Sequence, residues 1–221
     1  MKRRIFLLSG GLDSVAALTK LASDPSLQHE NIRVFHVEYV NRLSSLPQKN
    51  ALRQAMLHTP DWDLYIHRTE STDLKYPIDV CTKAMLAFGT GNFLEGELAG
   101  ETPDELELIV GYEYEEADTT TIDELNEAIQ LIRKAYVRTG IGVLPTTVVS
   151  YISDMDKAAL HSIVGDGAYW SCDYPSIQDH NLYKACGTCD TCKQLKKYGI
   201  EHPEMRLDYS LMATKWGLGW S

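Results

Sequence analysis

Short apolar runs alternate with segments of helical period along most of the chain. Ile5-Phe6-Leu7-Leu8 is apolar throughout, the pattern of a parallel strand buried on both faces. Val15-Ala16-Ala17-Leu18 opens a helix that Asp24-Pro25 ends. Ile32 to Tyr39 and Leu64 to Thr69 read as strands, with a helix from Leu46 to His58 between them. Lys83 to Leu98 reads as a helix interrupted at Gly89-Thr90-Gly91, and Leu106 to Tyr112 as a strand. Thr121 to Thr139 carries the clearest helical spacing, through Ile122, Leu125, Ile129, Ile132 and Tyr136. Thr121 and Glu124 have the spacing of a capping box, and Gly140 suits the C-terminal cap. A fifth strand, Val143 to Ile152, and a helix from Asp154 to Val164 follow. Strands alternating with helices predict a doubly wound α/β fold with a mainly parallel five-stranded sheet.

From Ala168 onward the periodicity fades. The chain is expected to divide into an α/β domain at 1–167 and a C-terminal segment at 168–221. Cys172, Cys186, Cys189 and Cys192 all lie in that segment, spaced C-x13-C-x2-C-x2-C. Two overlapping C-x2-C turns and one upstream thiolate can complete a tetrahedron of sulfurs, a set that suits zinc. An iron–sulfur cluster is the alternative; nothing else in the chain suggests redox chemistry. His180 could replace one thiolate but reads as a solvated loop residue, and Cys81 as a small core side chain.

Composition narrows the function. Hydrophobic residues make up 44% of 221 positions, enough for a substantial core. The apolar run after Lys2-Arg3-Arg4 is too short for a signal peptide, and no run spans a membrane. A cytoplasmic location is expected. A net charge of −10 argues against a broad nucleic-acid footprint, which needs Lys and Arg.

The first strand and first helix are joined by Ser9-Gly10-Gly11-Leu12-Asp13-Ser14. Its glycines allow unusual backbone angles and close approach of a ligand to bare amides. The helix start adds donors and partial positive charge, and Ser9 and Ser14 add hydroxyls. Together they form a cradle for phosphate or pyrophosphate. No Gly-Lys pair occurs, so this is not a Walker A loop, and the G-x-G-x-x-G fingerprint is missing too.

This hexapeptide resembles the SGG-x-DS loop of the PP-loop ATP pyrophosphatases, whose fold is of the adenine nucleotide alpha hydrolase kind. The resemblance implies that Ser9, Gly10, Gly11, Leu12, Asp13 and Ser14 bind the pyrophosphate end of ATP. It gives Asp13 and Ser14 catalytic roles, Asp13 acting through Mg2+ or loop geometry. Combined with the four cysteines, the pattern resembles the 7-cyano-7-deazaguanine synthase (QueC) family of queuosine biosynthesis. Trp170-Ser171-Cys172, Lys157-Ala158 and Cys186-Gly187-Thr188-Cys189-Asp190-Thr191-Cys192 carry that likeness. It implies ATP-dependent adenylation of 7-carboxy-7-deazaguanine, attack by ammonia to give the amide, then a second activation and dehydration to the nitrile. Zinc would then be structural. The middle of the chain departs from the family's substrate segments: Glu38-Tyr39-Val40-Asn41-Arg42 and Gly111 to Asp118 stand where those are expected. The candidate substrate walls are Tyr39, Arg42, Asn92, Gly111, Glu115, Asp118 and Trp170. The alternatives are a ligase that couples a carboxylated deazapurine to a protein or other amine acceptor, and a PP-loop ligase acting on a different acid. A homodimer is a further candidate assembly. A sulfurtransferase would need a reactive thiol near the loop, and Cys81 has no C-x-x-C partner.

Overall fold

The structure is a computed structural model that describes residues 2–27, 32–60, 62–70, 78–89, 105–113, 119–139, 147–165 and 169–208. Five parallel strands form one sheet: β1 (Lys2–Leu7), β2 (Ile32–Tyr39), β3 (Leu64–Thr69), β4 (Glu105–Ile109) and β5 (Thr147–Val149). Their order is β3-β2-β1-β4-β5, with β1 at the centre. β1 and β2 are buried on both sides, so Ile5, Phe6, Val34 and Phe35 are all core residues. Even a charged pair is enclosed here. Arg4 and Glu107 face each other in the β1–β4 register, and Arg4 Nε donates to Glu107 Oε1 at 3.0 Å.

Helices cover both faces. α1 (Leu12–Ala22), α2 (Ser45–Met56) and α5 (Lys157–Val164) share one core with Phe6, Leu8, Ile32 and Val34. α3 (Ile78–Gly89) and α4 (Thr119–Thr139) share the other, where Cys81, Leu125 and Ile129 meet Ile5, Phe35 and Leu108. Pro47 lies in the first turn of α2, where a missing amide costs no intrahelical hydrogen bond.

The helix expected over 83–98 begins earlier, at Ile78, and residues 90–98 lie outside the described ones. α4 begins at Thr119, two residues ahead of the position marked by the capping-box pattern. β5 is shorter than expected; residues 143–146 lie outside the described residues, as does Gly140.

The C-terminal segment builds structure of its own. β6 (Ser176–Asp179), β7 (Leu182–Lys184) and β8 (Met205–Arg206) form an antiparallel sheet, and α6 (Asp190–Lys197) lies between β7 and β8. Trp170, Tyr183, Met205 and Leu207 form a small core with three of the cysteines and Ala51 of α2. No helix among the described residues is long and apolar enough to cross a membrane.

Candidate functional site

The sheet order reverses at β1. Its neighbours are the next strand in sequence on one side and β4 on the other. Open α/β sheets bind ligands in the crevice beyond the C-terminal ends of their strands at such a point. Ser9 to Ser14 occupies that position.

Two glycines make the loop possible. Gly10 has φ +85°, and a Cβ there would stand 2.5 Å from the Gln48 carbonyl oxygen. Gly111, just past β4, would place a Cβ 2.7 Å from Ser14 Cα, so only glycine lets this strand end lie against the loop. Gly11 differs from the expectation. Its φ is −75°, an ordinary extended angle, and its constraint is crowding by Ser9 Oγ and Ser171 Oγ.

The loop hydroxyls hold one another. Ser14 Oγ donates to the Gly11 carbonyl at 3.1 Å and accepts from Ser9 N–H at 3.2 Å. With its proton so committed, Ser14 Oγ accepts from Ser9 Oγ at 2.8 Å. Gly11 N–H donates to Ser9 Oγ at 3.2 Å. The first-turn amides of α1 have no intrahelical acceptors, which is the usual basis of anion binding at a helix start.

Asp13 is held by a buried lysine. Lys157 Nζ donates to both of its carboxylate oxygens at 2.7 Å and lies 3.3 Å from Glu113 Oε1. Lys157 is 1% exposed and Glu113 fully enclosed. Burial raises the Asp13 carboxyl above its ordinary range, and Lys157 opposes that rise. Asp156 caps α5 by accepting from Ala159 N–H at 2.8 Å, which fixes the helix start that carries Lys157.

Beside the loop lies a cleft of about 780 Å³, counting its open mouth. Ser9 and Ser14 line it together with the apolar Leu7, Phe35, Val37 and Val110. Tyr39, Arg42 and Gly111 line it as well. The Arg42 guanidinium sits 4.5 Å from the Tyr39 ring centroid, and the Tyr39 hydroxyl donates to Asp79 Oδ1 at 2.8 Å. Lys83, also in the wall, pairs with Asp79 at 2.5 Å. Trp170 stands apart from the cleft. It is fully buried, its indole N–H donates to the Cys172 carbonyl at 3.0 Å, and its ring packs edge-on against His202. Expected as a substrate wall, it instead fills the core beside the cysteines. Asn92, Glu115 and Asp118 lie outside the described residues.

His36, unremarked in the sequence, forms part of the cleft wall at 2% exposure. Its Nδ1 lies 2.7 Å from the Leu8 carbonyl, so the ring donates there. Burial pushes its pKa down to about 4, leaving a neutral ring whose Nε2 has no partner among the described residues. A lysine at the first position of a helix opposes the dipole, which makes Lys157 unusual without pointing to its partner. His36 offered only a polar residue within an apolar strand.

The cysteine sulfurs of Cys172, Cys186, Cys189 and Cys192 all lie within 4.8 Å of one another. A tetrahedral Zn–S bond of about 2.3 Å sets sulfurs about 3.8 Å apart, so the group can hold a metal such as zinc. Backbone amides point at the sulfurs: Cys186 N–H donates to Cys172 Sγ at 3.2 Å, and Cys189 N–H to Cys186 Sγ at 3.3 Å. Burial raises the Cys172 thiol; the amides of Thr188 and Cys189 outweigh burial at Cys186 and draw its thiol down to about 6. Gly187, with φ +71°, makes the turn between the ligands.

The chain matches no protein-family model and no curated protein sequence.

Proposed function

We propose that this chain is an ATP-dependent carbon–nitrogen ligase that adenylates a carboxylate, with 7-carboxy-7-deazaguanine and ammonia as its substrates. The observation that carries the reading is the Ser9–Ser14 loop at the C-terminal end of the central strand, opening α1 beside a cleft. Adenylation needs donors for a departing pyrophosphate, an apolar slot for a flat base and a cation for the acid. The loop amides and Ser9 and Ser14 meet the first need, stabilising charge as it develops. Leu7, Phe35, Val37 and Val110 meet the second. Arg42 and Lys83 in the cleft wall meet the third.

Mg2+ would arrive with ATP, ligated mainly by phosphate oxygens and water. Asp13 is the carboxylate of the loop, and Lys157 holds both of its oxygens, so it would act through loop geometry or through the ion's water shell. Zinc at the four cysteines would be structural, because four thiolates leave no position open.

The test incubates the purified chain with ATP, Mg2+, ammonia and 7-carboxy-7-deazaguanine, and follows nucleotide and purine by mass spectrometry. AMP and pyrophosphate should form together with the amide or nitrile. Formation of ADP, or no acid-dependent AMP, would refute the reading. Replacing ammonia with a peptide amine separates nitrile synthesis from coupling to an acceptor.

A further inference from the structure

The C-terminal segment reaches into the loop directly. Trp170 N–H donates to the Gly10 carbonyl at 2.8 Å, and Leu12 N–H donates to Ser171 Oγ at 2.9 Å. The next residue is Cys172, a member of the thiol cluster. His202 Nε2 accepts from both the Ser171 and Cys172 amides, at 2.9 and 3.1 Å, so the backbone that carries the serine is fixed on both sides. A second path starts in α6. Gln194, two residues after Cys192, donates to Glu113 Oε1 at 3.2 Å; Glu113 pairs with Lys157, and Lys157 holds Asp13. Leu12 is the first residue of α1, so its amide belongs to the turn that faces a bound anion.

We infer that Ser171 is a positioning residue of the phosphate loop, through which the four-cysteine segment presets the loop's amides for an anionic ligand. The inference rests on reading that loop as the phosphate site. The Ser171 hydroxyl takes the Leu12 amide out of play and, with the Trp170 amide on the Gly10 carbonyl, fixes Gly10 to Leu12, leaving the amides that follow to converge on the ligand. A loop ordered in advance spares the ligand that ordering cost. Coupling of this kind is reciprocal: whatever tightens the cysteine cluster tightens phosphate binding, and the reverse.

The test uses the full chain loaded with zinc and compares wild type, Ser171→Ala and Ser171→Thr. MgATP affinity is measured by calorimetry, zinc by elemental analysis, and Leu12 amide exchange by NMR. Each measurement is repeated after chelation. S171A should keep its zinc, bind MgATP about tenfold more weakly, the scale of one lost hydrogen bond, and exchange the Leu12 amide at least tenfold faster. S171T, which keeps the hydroxyl, should restore both. Chelation should weaken MgATP binding in wild type and add little in S171A. Unchanged affinity and exchange in S171A, loss of zinc from S171A, or equal chelation losses in both proteins would overturn the inference. If chelation unfolds the chain, the loaded S171A and S171T proteins decide alone. Wild type that binds no MgATP would sink the phosphate-site reading, and Leu12 exchange in S171A would still report on the serine link.

Discussion

Replacing Lys157 with methionine removes a charge and keeps most of the side chain's volume. Lys157 is 1% exposed, Glu113 is fully enclosed, and the Asp13 side chain is 22% exposed. Removing one partner of a buried ion pair costs about 3–5 kcal/mol, mostly because the remaining charge is left uncompensated. Water still reaches Asp13, so the lower end, about 3 kcal/mol, applies. That is a large share of a typical folding stability of about 5–15 kcal/mol. The pH dependence gives a sharper signature. Burial already raises the Asp13 carboxyl, and Lys157 opposes it; in Lys157→Met that opposition is gone, and the folded-state value rises further above the unfolded one. A raised carboxyl contributes stability below its unfolded pKa and loses it as pH rises through the folded one. The variant's deficit against wild type should therefore shrink as pH falls from 7 to 5. Urea denaturation at both values measures it, and effects common to both proteins cancel in the difference. Adding Asp13→Asn to the variant should recover part of the loss. A deficit below about 1 kcal/mol, or one equal at both pH values, would show that the three groups do not form a coupled buried cluster.

Gly111→Ala forces a Cβ to 2.7 Å from Ser14 Cα; urea melts should show a loss of about 1–3 kcal/mol, the cost of overpacking, and weaker nucleotide binding. Cys189→Ser should lose the single zinc expected by elemental analysis and lower the Tm by about 10 °C, since structural zinc contributes folding free energy; a well-folded wild type without metal, or with iron, would reject zinc. His36 has a folded pKa of about 4 against an ordinary 6.5, so the unfolded chain takes up the proton first and stability falls as pH drops from 6.5 toward 4. Wild type should lose about 2 kcal/mol between pH 7 and pH 5 from this group, and His36→Gln should flatten that slope.

What could be read from the sequence was local. Ser9 to Ser14 is one continuous stretch, and its two flanking elements announce themselves by period. The C-x2-C-x2-C run is equally compact. The thirteen residues between Cys172 and Cys186 carry the β6–β7 hairpin, which returns the chain to the cluster. That hairpin escaped notice because β6 is exposed at all four positions, so no alternation marks it. Long-range partners were illegible for a different reason. Asp13 reads from the sequence only as a residue of the loop between the first strand and helix; a lysine 144 positions away makes it half of a buried pair. Ser171 lay in plain view between Trp170 and Cys172, but its contact is with an amide 159 positions back.

The acidic balance of the chain is a poor guide to this site. Charges farther apart than about 8 Å are largely screened in physiological salt, so local arrangement outweighs the total. Around the cleft, cations and carboxylates stand together, with Asp79 beside Lys83. Arg42 and Lys83 stand in its wall. Behind it, the buried Lys49 and the half-exposed Arg68 both pair with one carboxylate, Glu38. Arg53, one turn along α2 from Lys49, is 3% exposed, and its Nε has no hydrogen-bond partner among the described residues. Lys49, Arg53 and Arg68 gather round Glu38 near the C-terminal ends of β2 and β3. Enclosing such charge is costly unless something negative repays it. If a triphosphate binds the Ser9–Ser14 loop, its affinity should fall with ionic strength more steeply than a net charge of −10 would suggest, which MgATP titrations at two salt concentrations measure.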